Sequence, residues 1–120
     1  MAFEHTETSH KLENEYPKLV RDKIPARIKE RDGIEAKVRV LDDEEFEYYL
    51  LKKVAEEAEE LSKSETAANI KEELADVFEV IEALLEVTGI TMEEVKALQA
   101  EKRDKRGGFK ERLLMLAAAE

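Results

Sequence analysis

The stretch Phe46-Glu47-Tyr48-Tyr49-Leu50-Leu51-Lys52-Lys53-Val54-Ala55-Glu56-Glu57-Ala58-Glu59-Glu60-Leu61 decides the fold. At about 100° per residue, Phe46, Tyr49, Leu50 and Leu61 fall on one stripe, as in an amphipathic α-helix. Asp42 can cap this helix with Glu45 at the third helical position, and Leu41 with Phe46 forms the matching staple. The pattern predicts a helix from about 42 to 61 and a short turn over 63–65. A second long helix follows over about 66–87, ended by Thr88-Gly89. Helices joined by so short a turn run antiparallel.

Outward from this pair the elements are shorter. Pro25 suits a first helical turn, so a helix is expected over about 23–31, stopped by Asp32-Gly33. The alternation of Ala36, Val38 and Val40 with Lys37 and Arg39 suggests a short strand or extended segment. Thr91 with Glu94 and Ile90 with Val95 repeat the box and staple, which predicts a helix over about 92–104, broken by Gly107-Gly108. A last short segment carries Phe109, Leu113, Leu114 and Leu116. The expected architecture is all-α: two long antiparallel helices plus shorter ones, with an extended segment near the N-terminus. Residues 1–15 read as a flexible tail and 16–120 as a single domain. A chain of 120 residues buries a limited share of its surface, so completion of the core by oligomerisation is expected.

Composition narrows the chemistry. With no cysteine, disulfides, thiolate nucleophiles and Cys-ligated zinc drop out. His5 and His10 lie in the polar tail, where acid–base work has little support. No apolar run approaches a membrane span and no signal-peptide pattern opens the chain, so a cytoplasmic protein is expected. A net charge of −10 opposes general adhesion to nucleic acid or anionic membrane. The charges are segregated, however. Residues 18–31 hold six basic and two acidic side chains, 42–60 nine acidic and two basic, and 102–112 six basic and two acidic. Two basic ends around an acidic middle suit a site for metal and phosphate, although solvated helix faces give the same counts.

On the first long helix Glu57 and Glu60 fall inside the apolar stripe, Glu56 borders it and Glu59 points away. On the second, Glu73 and Asp76 stand at one shoulder of a stripe formed by Ile70, Leu74, Val77, Ile81, Leu84 and Leu85. Burying several carboxylates together is costly unless something positive compensates. Mg²⁺ takes oxygen ligands and suits such a set, as one ion or a close pair. Salt-bridged surface faces are the competing reading, with Lys53 placed to pair with Glu57. Lys18, Arg21 and Lys23 near Pro17 and Pro25, and Lys102, Lys105 and Arg106 before the glycines, can contact phosphate oxygens or bridge to the many acids.

Taken together, Lys18-Leu19-Val20-Arg21-Asp22-Lys23-Ile24-Pro25, Glu56-Glu57-x-x-Glu60, Glu72-Glu73-Leu74-Ala75-Asp76 and Lys102-x-x-x-Arg106-Gly107-Gly108-Phe109 resemble the all-α nucleotide pyrophosphohydrolases, most closely the small MazG-like, phosphoribosyl-ATP pyrophosphohydrolase-like branch. The resemblance spans about residues 16–116. It implies a helical bundle, a homodimer or homotetramer, and hydrolysis of a nucleoside triphosphate to monophosphate and pyrophosphate. Glu57, Glu60, Glu73 and Asp76 are the implied Mg²⁺ ligands, with Mn²⁺ a substitute. Glu56 is implied as a further ligand or a base, and Glu56 or Glu57 is the expected acceptor of the water proton. Lys18, Arg21, Lys23, Lys102 and Arg106 are the implied phosphate or nucleotide contacts. The chain lacks the second catalytic domain of larger MazG proteins, and its KLVRDKIP start differs from that of dedicated phosphoribosyl-ATP enzymes. Phosphoribosyl-ATP is the nearest alternative substrate, and a noncatalytic helical interaction module is the alternative from another class.

Overall fold

The computed structural model describes residues 16–118. Four helices follow one another: α1, Ile24–Asp32; α2, Asp43–Ser62; α3, Ala67–Thr88; and α4, Met92–Arg106. There is no strand among the described residues. The flexible tail expected over 1–15, with His5 and His10, lies outside them.

Local chemistry sets the helix ends. Pro25 occupies the first turn of α1, where a missing N–H leaves no hydrogen bond broken. Asp42 accepts from the Glu45 N–H at 2.8 Å, and Asp43, Glu44 and Glu45 add negative charge at the positive end of α2. Thr66 accepts from the Asn69 N–H at 3.1 Å to open α3. At α4 both halves of the capping box are present: Thr91 Oγ1 accepts from the Glu94 N–H, and Glu94 Oε2 accepts from the Thr91 N–H. Gly89 closes α3 at φ 76°, its N–H donating to the Leu85 carbonyl; any side chain here would strain this left-handed turn.

The sequence is read above as one domain over 16–120; the chain divides into two compact units, Met1–Gly89 and Ile90–Glu120. In the first, α2 and α3 pack along one another, joined by residues 63–66 as an antiparallel hairpin. Leu50 of α2 is the most buried side chain, 2 % exposed, and Val80 of α3 is buried with it. The α2 face protected around Leu50 carries Phe46, Tyr49, Val54, Glu57 and Leu61, as the stripe predicts. α3 differs. Its covered face runs through Glu73, Asp76, Val77, Val80 and Leu84, whereas Ile70, Leu74 and Phe78 remain exposed. The apolar stripe of α3 is wider than one partner helix can cover, and α2 takes the flank that bears the acids. Glu73, placed by periodicity at a shoulder, therefore sits in the covered face, and Asp76 stays at its edge, its side chain 42 % exposed.

Residues 33–40 form neither helix nor strand, and Val38 and Val40 are exposed. The alternation there found no partner strand among the described residues. Side chains hold the segment instead: Lys29 pairs with Glu35, and the Arg39 guanidinium forks onto both carboxylate oxygens of Glu45, at 3.0 and 2.7 Å. That hydrogen bonding keeps the Glu45 carboxyl below its ordinary range.

In the second unit α4 has no buried residue. The segment after it forms no helix among the described residues, and Phe109, Leu113, Leu114 and Leu116 are all exposed. No helix among the described residues is long and apolar enough to cross a membrane.

Candidate metal centre

The candidate centre is built by the α2–α3 hairpin. Glu57 shares the protected face of α2 with Leu50 and Leu61, and the antiparallel course of α3 brings Glu73 and Asp76 opposite. These two stand three residues apart and project from one side of their helix. One carboxylate oxygen from each of Glu57, Glu73 and Asp76 lies within 4.8 Å of the other two, and all three residues are half-buried.

Such crowding has an electrostatic cost, visible at Glu57. Burial raises its carboxyl above the ordinary value; Lys53 opposes the rise, while Asp76, Glu56 and Glu73 add to it. Two cations offset the charge. Lys53 Nζ stands 3.0 Å from Glu56 Oε1 and 3.8 Å from Glu57 Oε1, with only 17 % of its side chain exposed. Arg21, from the segment ahead of α1, reaches across to α3 and donates through Nη2 to Asp76 Oδ1 at 2.7 Å.

Sequence reasoning located much of this set but ranked it differently. Glu56, placed at the border of the stripe, is the most protected acid, 8 % exposed. It is also the nearer partner of Lys53, the position foreseen as a partner of Glu57. Glu60 is half-buried one turn beyond Glu57 but does not belong to the three-carboxylate group. Glu59 accepts from Lys63 at 3.0 Å. Lys18 is half-buried, with Nζ 5.5 Å from the Tyr16 ring centroid, and Lys23 is exposed at the N-cap of α1. Lys102 and Arg106 are exposed on the last turns of α4, in the second unit. The Arg21–Asp76 pair was missed because 55 residues separate the partners and no local spacing encodes the contact.

The donor chemistry fits a hard divalent cation. Three carboxylates offer oxygen alone, and no thiolate or imidazole competes in the group. The acids Glu56, Glu57, Glu73 and Asp76 set against Lys53 and Arg21 leave two negative charges, the charge one Mg²⁺ would neutralise. No protein-family model, curated protein or solved structure matches the chain.

Proposed function

We propose that this chain is a Mg²⁺-dependent nucleotide pyrophosphohydrolase, cleaving a nucleoside triphosphate between the α- and β-phosphorus to release monophosphate and pyrophosphate. The observation that carries this reading is the convergence of Glu57, Glu73 and Asp76 from two helices on one point, with Arg21 of the basic segment in contact with the group. The sequence resemblance names the same three residues as ligands, and Glu60 as a fourth.

Mg²⁺ held by these carboxylates would supply positive charge to the triphosphate oxygens and acidify the attacking water. The chain supplies the rest. Glu57, Glu73 and Asp76 would hold the metal, and Lys53 pairs with both Glu56 and Glu57. Glu56, through the oxygen that Lys53 does not hold, or the second oxygen of Glu57 takes the proton of the water that attacks the α-phosphorus. Arg21, with Lys18 and Lys23 of the same segment, stabilises charge developing on the departing pyrophosphate; the resemblance adds Lys102 and Arg106 as phosphate contacts. The working form in this reading is a homo-oligomer, because Ile70, Leu74 and Phe78 recur at the four-residue step and stay exposed on α3. Clearance of noncanonical or excess nucleotides is the role such an activity serves.

The test is direct product analysis. The purified chain is incubated with canonical and modified nucleoside triphosphates and with phosphoribosyl-ATP, with and without Mg²⁺, and pyrophosphate and monophosphate are quantified. Metal-dependent release of both supports the proposal. Orthophosphate with nucleoside diphosphate would replace it with a different hydrolase, and no product from a folded chain would favour a helical interaction module.

A further inference from the structure

The two cations at the carboxylate group are attached differently. Lys53 is on α2 itself, three and four residues from its partners, and is largely buried. Arg21 comes from outside the hairpin, and 56 % of its side chain is exposed. It holds Asp76 by a single nitrogen, Nη2, not by the two-toothed fork that Arg39 makes with Glu45. A one-point, solvent-exposed ion pair is weak and exchangeable. Lys53 is a fixed part of the site, whereas Arg21 is its replaceable counter-ion.

We infer that Arg21 and the divalent cation compete for Asp76, so that metal entry releases the Arg21 guanidinium to the phosphate chain of the substrate. This rests on the metal site proposed above and adds a coupling that a simple phosphate-binding role does not contain. In the metal-free chain Arg21 covers Asp76 and limits the negative charge of the site. When metal takes the carboxylate oxygen, Arg21 becomes an unpaired donor beside the metal, and a polyphosphate satisfies both. Metal and polyphosphate then bind with positive coupling, and by linkage each strengthens the other equally.

Removing a cation assigned to substrate binding should therefore tighten the metal. Mg²⁺ alone is titrated calorimetrically into the full chain as wild type, Arg21→Gln and Lys23→Gln, with helicity checked by circular dichroism. Lys23→Gln removes the same charge two positions away without touching the ion pair. Arg21→Gln is expected to bind Mg²⁺ about two- to five-fold more tightly than wild type, the range of an exposed ion pair, and to exceed Lys23→Gln. Pyrophosphate titrated at saturating Mg²⁺ is expected to bind Arg21→Gln at least about three-fold more weakly than wild type. Equal Mg²⁺ affinities in the two variants, or weaker binding in Arg21→Gln, would overturn the competition. Unchanged pyrophosphate affinity would overturn the handover. If wild type binds no Mg²⁺ the site reading falls as well, so failure of the site and failure of the coupling are separate results. Arg21→Lys, which keeps the charge, is expected to lie near wild type in Mg²⁺ affinity; a value as tight as Arg21→Gln would also count against the competition.

Discussion

Helices α3 and α4 both begin on a threonine that accepts a hydrogen bond from the backbone N–H three residues on. α4 has the better start, since Glu94 returns the bond, and it carries acids in its first turn and Arg103, Lys105 and Arg106 in its last. Yet α4 buries nothing, whereas α3, with no charge of either favourable kind at its ends, buries Val80 and has a covered face. Capping and dipole chemistry are local and decide where a helix starts and stops. A covered face needs another element, and only a covered face can hold carboxylates in one place against their mutual repulsion. The candidate site accordingly lies on α2 and α3, which cover one another, and not on the well-capped α4.

The contrast is open to direct attack. The largest effect is expected at Leu50. Leu50→Ala should destabilise the first unit by about 2–5 kcal/mol in urea denaturation, while Leu113→Ala, whose side chain is 85 % exposed, should fall within about 0.5 kcal/mol. A comparable loss at Leu113 would mean that the C-terminal segment is covered in solution. Next in size is the metal effect. At Mg²⁺ a hundred times its Kd, wild type should gain about 2.7 kcal/mol of stability; Asp76→Asn should lose that gain, and Glu101→Gln on α4 should keep it, both read as melting shifts. Thr91→Ala should cost about 1 kcal/mol, confined to α4 and visible as lost helicity, with Mg²⁺ stabilisation unaffected.

The smallest effect concerns pH. The Glu57 carboxyl lies above its ordinary value of 4.5 in the folded chain, so the folded chain keeps this proton where the unfolded chain has released it. Its contribution to stability is complete below the ordinary value and is lost as pH rises through the raised one. Without metal, Glu57→Gln should therefore match wild type near pH 4 and melt a few degrees higher than wild type at pH 7. Adding Mg²⁺ should reverse the order. An unchanged difference across this range would show that Glu57 is not crowded by its neighbours.

These cases also show what could be read from the chain before any fold was known. Asp42, Thr66, Thr91 and Gly89 announced their helix ends because each acts on atoms three or four residues away. Glu57 was placed within its stripe because α2 has one apolar face and one partner. The α3 stripe was broader than its partner, so periodicity alone could not choose which flank packs, and Glu73 was set too far out. Val38 and Val40 carried the alternation of a strand, but a strand requires a neighbour, and no residue in the segment encodes one. Arg21 was suspected for its charge and its place beside two prolines. Its partner was beyond the reach of any pattern along the chain.

The placement of the three carboxylates within residues 57–76 has a consequence for how the molecule folds. Closing one hairpin, a contact of low order that forms fast, brings Glu57, Glu73 and Asp76 together, whereas Arg21 must close a span of 55 residues to reach Asp76. The acids are therefore expected to meet before their arginine arrives, and the early hairpin to carry its greatest unbalanced charge. A divalent cation present during refolding can occupy that place first.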